Sequence, residues 1–201
     1  MADENTDRTA KIHRTTGETD IELTLTLDGA GAVSGTTGIG FFDHMLVLFA
    51  RHGKMTVELD CTGDLHVDAH HTVEDVGICL GQALLDALGE KRGIRRYGSA
   101  YVPMDECLAR AVVDLSGRAY CLVNAEIGCE RVGDFEVALA WEFLRALADN
   151  GRFNLHLDLL RGGNAHHALE ACFKAVARAL AEAASVDPAR AADIPSTKGV
   201  L

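Results

Sequence analysis

A His-His-x-x-Glu motif occurs twice in this chain, beginning at His70 and again at His166. Each copy opens an apolar segment whose periodicity predicts a helix, so the first His and the Glu, four positions apart, would share one helix face. Imidazole and carboxylate groups one turn apart can bind a divalent cation of the first transition row. The second His of each copy points roughly a quarter-turn away and would suit a different metal ion or a different subunit. The repeated motif therefore predicts metal-binding chemistry.

The two motifs lie at matching places in a longer internal repeat. Residues 44–53 match residues 142–151 in length and apolar pattern, and an alternating, strand-like run follows each segment. Upstream, the alternating runs at 21–27 and 108–115 also resemble each other, and both are predicted to enter a tight hairpin turn, at Asp28-Gly29 and at Ser116-Gly117. A duplication with a period near half the chain is too long for a solenoid repeat.

This pattern predicts an α+β fold. The predicted elements follow the order strand, strand, helix, strand, helix, and this order occurs twice. It favours an internal duplication of a β-β-α-β-α half, in which each half is a mixed sheet covered on one face by helices. The predicted segments are a flexible N-terminus at 1–10, a first half at 11–95, a second half at 96–191, and a C-terminal tail at 192–201 that contributes to the active site.

Composition limits the class of function. The chain has 201 residues, 48% of them hydrophobic, so it can bury a sizeable core. A net charge of −11 argues against nucleic acid or an anionic membrane as the main partner. Six Cys without a C-x-x-C pair indicate core residues in a reducing compartment, not a disulfide framework or a zinc site. The acidic N-terminus and the lack of a long apolar run predict a cytoplasmic protein without signal peptide or membrane span.

A few basic residues stand in turns or at the C-terminus and could together bind a phosphate group. Arg96 follows the last helix of the first half, Arg118 lies in the Ser116-Gly117 turn, and Ser196 and Lys198 are close to the C-terminus. Arg provides bidentate donors and Lys a point charge for phosphate oxygens. Taken singly, each is more simply a solvated surface residue, so the phosphate site depends on whether these groups converge.

The chain resembles the imidazoleglycerol-phosphate dehydratase family over nearly its whole length. Several motifs in the right order carry this resemblance, which makes it more specific than one short pattern. The matching segments are 14–19, 40–45, 63–75, 95–99, 102–106, 116–118, 164–170 and 195–199.

The resemblance implies a specific reaction and assembly. Members of the family dehydrate D-erythro-imidazoleglycerol phosphate to imidazole-acetol phosphate and water, a step of L-histidine biosynthesis, and use two Mn²⁺ ions per active site. Two similar halves form each subunit. The resemblance further implies a homo-oligomer of 24 subunits with active sites at subunit boundaries.

The resemblance also implies roles for individual residues. Glu18 would be the acid–base residue near the reacting carbons, and Asp105 a second catalytic carboxylate lining the site. The implied metal ligands are His44, His70, His71, Glu74, Glu142, His166, His167 and Glu170. The implied substrate-binding residues are Glu18, Met104, Arg96, Arg118, Ser196 and Lys198.

Glu142 is a departure from the family pattern. Many members have His within a Glu-His-Phe-Phe stretch where this chain has Trp-Glu-Phe-Leu. The internal repeat pairs Glu142 with His44, which predicts a ligand there on internal grounds, and a carboxylate is an acceptable donor for Mn²⁺. The alternative is a helix-surface Glu without a ligand role.

The proposed chemistry explains why metal ions are needed. The proton to be removed lies on a carbon without an adjacent carbonyl group. If both nitrogens of the substrate imidazole face metal ions, the ring is held as a metal-bound imidazolate, whose electrons can expel the neighbouring hydroxyl. The diazafulvene-like product makes the next carbon acidic enough for a carboxylate base such as Glu18, and tautomerisation of the resulting enol gives the ketone.

Two other functions are also compatible with these residues. A phosphatase with a two-metal clamp would also use carboxylates and basic residues, but its metal ions would bind the phosphate directly and make a separate phosphate site redundant. A non-catalytic metal-binding or shell-forming protein would need neither Glu18 nor Lys198.

Overall fold

A computed structural model of the chain describes residues 8–199 and Leu201. The strands are β1 (Thr9–Thr15), β2 (Thr19–Thr26), β3 (Ala32–Ser34), β4 (Thr56–Gly63), β5 (Tyr97–Met104), β6 (Cys107–Asp114), β7 (Tyr120–Asn124), β8 (Arg131–Val132), β9 (Phe135–Glu136) and β10 (Asn154–Arg161). The helices are α1 (Gly40–Gly53), α2 (His70–Leu88), α3 (Val137–Gly151) and α4 (Ala165–Ala184), followed by a 3₁₀ turn at Pro188–Arg190.

Two mixed four-stranded sheets confirm the predicted α+β fold and its internal duplication. The first sheet has the order β1-β2-β4-β3 and the second β5-β6-β10-β7. In each sheet the first three strands are antiparallel and the last is parallel to its neighbour. The predicted β-β-α-β-α order is present twice. Before its first helix each half also contains short strands that the sequence pattern does not predict, β3 in the first half and β7, β8 and β9 in the second.

The two hairpin turns predicted at Asp28-Gly29 and Ser116-Gly117 are wrong. In the first sheet β4 lies between β2 and β3, and in the second sheet β10 lies between β6 and β7. The strands on either side of each turn are therefore not paired with each other. Within the two four-stranded sheets, β1–β2 and β5–β6 are hairpins instead, and their last paired residues are Thr15 with Asp20 and Met104 with Cys107. Their tips carry Glu18 and Asp105, both candidate catalytic residues.

The four helices lie between the two sheets. One face of each sheet is buried, as the alternating burial along β2 and β6 indicates. Helix α2 packs on β1 and β2, α4 packs on β5 and β6, and across the halves α1 contacts α4 while α2 contacts α3. The α2–α3 contact is close: a Cβ added at Gly77 would lie 2.8 Å from the carbonyl oxygen of Phe143. Both copies of the His-His-x-x-Glu motif are therefore held at helix N-termini on a shared core.

Matching helix ends also indicate duplication. Helix α1 ends at Gly53 and α3 at Gly151, and the next residue, Lys54 or Arg152, adopts the left-handed conformation in each case. Their backbone N–H groups close the last turn by donating to Ala50 and Ala148.

The structure describes only the end of the predicted N-terminal segment. Of the predicted flexible N-terminus, residues 1–7 lie outside the described residues, whereas Thr9 and Ala10 belong to β1. Among the described residues, no helix is both long and apolar enough to cross a membrane.

Candidate active site

Three predicted ligands meet between α1 and α4. The Nε2 atoms of His44 and His166 each lie 3.0 Å from the same carboxylate oxygen, Oε1 of Glu170. Glu170 is buried, while the two imidazoles are about half exposed. The i, i+4 spacing of His166 and Glu170 on α4 forms one part of this cluster, and the packing of α1 on α4 adds His44. Two imidazoles and a carboxylate converging on one point form a donor set suited to a divalent transition metal.

Lys174 fixes the charge and orientation of Glu170. Its ammonium group donates to Oε2 of Glu170, one turn back along α4, and also contacts the Met104 sulfur at 3.6 Å. Burial alone would raise the pKa of Glu170, but the hydrogen bonds from Lys174, His44 and His166 outweigh burial and hold that pKa at about 2. Glu170 is therefore an anion at any neutral pH, as a metal ligand must be.

The second His of each motif is held by a carboxylate at its Nδ1 atom. His71 Nδ1 lies 3.0 Å from Asp64, and His167 Nδ1 lies 3.1 Å from Glu106. Each of these hydrogen bonds raises the pKa of the imidazole above its usual value. A carboxylate at Nδ1 is the usual support of a metal-binding histidine, because it orients the ring and directs Nε2 toward the metal.

The start of α4 is fixed by Asn164 and Glu106. Asn164 caps the helix, and its side chain accepts the backbone N–H groups of both His166 and His167. The backbone N–H of Asn164 in turn donates to Glu106, and this contact, together with His167, lowers the pKa of Glu106 to about 2. The histidines are thus fixed by a cap and by the β5–β6 tip at once.

The first half does not form a matching three-residue cluster among the described residues. His70 and Glu74 are 3.8 Å apart, and both are about half exposed. Glu142, the internal counterpart of His44, lies on α3 and is paired with Arg145 of the same helix at 3.1 Å. Of the eight predicted ligands, the structure brings together His44, His166 and Glu170. His167 lies in a second group with Asp105 and Glu106, while the predicted ligands of the first motif and Glu142 lie outside both groups.

One cavity of about 860 Å³ connects the two motifs. Its lining includes the first His of each copy, His70 and His166, together with His44. Residues 131–136 of the β8–β9 hairpin also line it. The second His of each copy is not part of this lining, so the two histidines of a motif face different spaces, as their spacing predicts.

Both candidate catalytic carboxylates stand on hairpin tips close to a second His. Glu18 Oε1 lies 3.6 Å from His71 Nε2, and Asp105 Oδ2 lies 3.8 Å from His167 Nδ1. Asp105 adopts a positive φ of 48° in the two-residue β5–β6 turn, and its side chain is largely exposed. Met104 precedes it and is half-buried against Lys174.

The candidate phosphate-binding residues converge in part. Arg96 donates to Asp114 at 2.7 Å and to the carbonyl oxygen of Pro195 at 2.9 Å, so it connects β6 with the C-terminal tail. The hydrogen bond to Asp114 raises the pKa of Arg96 further. Ser196 lines a cavity of about 640 Å³ next to Arg96.

The other two basic groups are exposed near that tail. The backbone N–H of Lys198 donates to the Ser196 hydroxyl at 3.2 Å, and the terminal carbon of Leu201 would lie 2.6 Å from a Cβ added at Gly117. The tail therefore runs from Arg96 toward the turn that carries Arg118. The side chains of Arg118 and Lys198 are exposed.

Known proteins of one family resemble this chain over nearly its whole length. The sequence profile described as "Imidazoleglycerol-phosphate dehydratase" matches residues 37–180. The protein of that name from Heliobacterium modesticaldum is 56% identical over 194 residues, which are 96% of this chain and 100% of the relative. The one from Salinibacter ruber is 58% identical over 194 residues, 96% of each chain. This chain belongs to the imidazoleglycerol-phosphate dehydratase family.

Solved imidazoleglycerol-phosphate dehydratases have the same fold. The crystal structure from Staphylococcus aureus is 42% identical in sequence, with a TM-score of 0.81, and the match covers 89% of this chain and 99% of that one. The structure from Pyrococcus furiosus, in complex with (S)-C348, is 37% identical with a TM-score of 0.81 and covers 94% and 100%. As a member of the imidazoleglycerol-phosphate dehydratase family, the chain is an enzyme of the hydro-lyase class, and the family performs a dehydration step of histidine biosynthesis.

Sequence reasoning missed the residues that hold the predicted ligands. Asp64 and Glu106 support the second histidines, and Lys174 supports Glu170. Lys174 could have been found, because it stands four residues after Glu170 on the same helix. Glu106 could not have been assigned from spacing alone, since it lies 61 residues from His167 and is brought to it by the β5–β6 hairpin. Asp64 is only seven residues from His71, but it precedes α2, so helix periodicity does not point to it.

Proposed function

We propose that this chain converts D-erythro-imidazoleglycerol phosphate to imidazole-acetol phosphate and water, with two Mn²⁺ ions per active site. The observation that carries this proposal is the combination of a cluster of two imidazoles and one carboxylate with two further histidines, His71 and His167, each supported at Nδ1 by a carboxylate. Family membership provides the reaction, and this donor set provides the reason to place metal ions in it.

The residues fit such ions in type and protonation state. His44, His166 and Glu170 would hold one ion, and the carboxylate is already ionised with a pKa of about 2. His71 and His167 have their Nδ1 atoms occupied by carboxylates, so only Nε2 is free to bind an ion. His70, Glu74 and Glu142 complete the proposed ligand set. When bound, the ions would act as Lewis acids that favour the imidazolate form of the substrate ring.

The remaining chemistry is assigned to groups of the chain itself. Glu18 would move the proton of the reacting carbon, because its carboxylate stands on a hairpin tip 3.6 Å from His71 Nε2. Asp105 occupies the corresponding tip beside His167 and would serve as a second carboxylate, with Met104 lining the site. Arg96, Arg118, Ser196 and Lys198 would bind the phosphate and thereby orient the substrate relative to Glu18.

The active site would be completed at a boundary between subunits. A Mn²⁺ ion prefers about six ligands, whereas the cluster within this chain provides three, and the other proposed ligands lie outside it. A homo-oligomer in which the second histidines meet the cluster of a neighbouring subunit would supply the rest. A shell of 24 subunits, as the family resemblance implies, is the proposed assembly.

Product analysis tests the reaction assignment against the phosphatase alternative. Incubation of the protein with imidazoleglycerol phosphate and Mn²⁺ is expected to yield the ketone, imidazole-acetol phosphate, with its phosphate ester intact. Release of inorganic phosphate without ketone would show that the ions act on the phosphoester and would contradict the proposed function. Boiled protein in the same buffer controls for uncatalysed breakdown.

A further inference from the structure

One buried carboxylate ties both strands of the β1–β2 hairpin to helix α2. Asp75 on α2 is 5% exposed. Its Oδ2 accepts a hydrogen bond from the Thr19 hydroxyl at 2.5 Å, and its Oδ1 accepts one from Arg14 Nη2 at 2.9 Å. Arg14 belongs to β1 and Thr19 to β2, so the two contacts grip the hairpin on either side of its tip. The residue at that tip next to Thr19 is Glu18.

The backbone around Glu18 is fixed as well. The Thr16 hydroxyl accepts the N–H groups of Glu18 and Thr19, each at 3.0 Å. The backbone N–H of Asp64 donates to the carbonyl oxygen of Glu18 at 3.0 Å. The side chain of Asp64 also holds His71. Asp64 therefore connects the main chain of Glu18 with the imidazole of His71, which lies next to the Glu18 carboxylate.

The contact between Arg14 and Asp75 contributes little to the free energy of folding, which indicates that its role is to fix geometry. The Arg14–Asp75 ion pair is partly buried, and such a pair adds little net stability, because the loss of hydration offsets much of the attraction. Arg14 Nε is also buried without a hydrogen-bond partner among the described residues, which is unfavourable. Within the described part of the chain, the side-chain hydrogen bonds of Asp75 go to Arg14 and Thr19 and not to a histidine. What the contacts do provide is a fixed position for the hairpin tip.

We propose that Asp75, Thr19 and Arg14 are positioning residues that hold the Glu18 carboxylate beside His71. The inference rests on the proposed acid–base role of Glu18. A base must lie within hydrogen-bonding reach of the proton that it moves, and a displacement of about 1 Å can lower the rate about 100-fold. Loss of the Thr19 hydroxyl would free the tip without removing any proposed metal ligand.

Three variants of threonines in β2 test the inference. Thr19→Val keeps the shape of the side chain and removes the hydroxyl, Thr19→Ser keeps the hydroxyl, and Thr26→Val removes a hydroxyl at the far end of β2, where it pairs with Thr9. In the Mn²⁺-loaded protein, kcat is expected to fall roughly 10- to 100-fold for Thr19→Val alone, with KM and Mn²⁺ affinity unchanged. Amide hydrogen exchange of residues 14–20 is expected to accelerate only in Thr19→Val.

The outcomes separate this inference from the proposed function. Equal kcat and equal exchange for Thr19→Val and Thr19→Ser would overturn the inference, and so would a Mn²⁺ affinity that falls in parallel with kcat. A wild-type protein without turnover would overturn the proposed function, while the exchange comparison would still test the fixing of the tip. If Thr19→Val does not fold, Arg14→Gln compared with Arg14→Lys provides the same comparison, since the Arg14 side chain is one third exposed.

Discussion

Replacement of Glu18 by Gln is expected to lower kcat roughly 10²- to 10⁴-fold, the range that a positioned general acid–base group contributes. Glutamine has the same size but cannot take a proton. Glu18 is half exposed on the β1–β2 tip and contacts His71 at 3.6 Å, so the fold does not depend on its charge. Mn²⁺ affinity is expected to stay close to that of the wild type, because Glu18 is not among the proposed ligands.

Glu22→Gln is the matched control. Glu22 lies in the same hairpin, is also exposed, and pairs with Lys11 at 2.7 Å, away from the candidate site. Steady-state kinetics with imidazoleglycerol phosphate and a Mn²⁺ titration by calorimetry would be measured for both variants. Wild-type kcat in Glu18→Gln would remove Glu18 from the mechanism and leave Asp105 as the candidate base.

Replacement of Glu170 by Gln is expected to damage both stability and metal binding. In the metal-free protein the change leaves Lys174 buried without its carboxylate partner, and removing one member of a buried charge pair costs about 3 kcal/mol. Glutamine keeps one acceptor oxygen, which cannot serve both Lys174 and the two imidazoles that now share Oε1. Mn²⁺ affinity is expected to fall at least about 10-fold, since even loss of a group that only supports a ligand has that effect.

The internal repeat provides a control of the same residue type. Glu74 occupies the place of Glu170 in the first motif, but its side chain is 44% exposed and its nearest partner, His70, is 3.8 Å away. Glu74→Gln is therefore expected to weaken Mn²⁺ binding and turnover while lowering the free energy of unfolding by less than about 1 kcal/mol. Equal destabilisation of the metal-free protein by both changes, measured by urea unfolding, would contradict the asymmetry of the two motifs.

The pH dependence of the metal-free protein has a defined sign. The pKa of Glu170 is about 2 in the folded chain and 4.5 without these contacts, so the stability that its charge provides is complete above pH 4.5 and lost as the pH falls toward 2. Glu170→Gln lacks a titratable group at this position. Its unfolding free energy should therefore change less with pH in that interval than that of the wild type.

Local patterns were sufficient to predict the elements that carry the ligands. The spacing of His166 and Glu170 requires one helix face, and α4 indeed places both at one point. The match between residues 44–53 and 142–151 likewise predicted two equivalent helices, which end in the same way. Periodicity is a property of neighbouring residues, so it can be read without knowledge of the tertiary structure.

The strand order and the partners of individual side chains depend on contacts between distant segments, so the sequence pattern did not predict them. The turns after β2 and β6 resemble hairpin turns locally, but β4 and β10 take the adjacent positions in their sheets, because they offer longer pairing partners than the three-residue β3 or the five-residue β7. Asp75 directly follows Glu74 of the first motif, but its carboxylate faces β1 and β2, on which α2 packs, and only the tertiary structure shows this. The role of Glu142 remains a prediction, since in this chain its carboxylate pairs with Arg145.

Turnover of imidazoleglycerol phosphate by metal-stripped protein, with and without added Mn²⁺, tests the central claim most directly. The proposed function predicts no ketone from the stripped protein and full formation of imidazole-acetol phosphate once two ions per active site have been added. Equal ketone formation without metal would contradict the assigned role of the His-His-x-x-Glu motifs. Mn²⁺ bound at that ratio with no ketone formed would contradict the proposed catalysis and make Glu142, the departure from the family pattern, the first position to change.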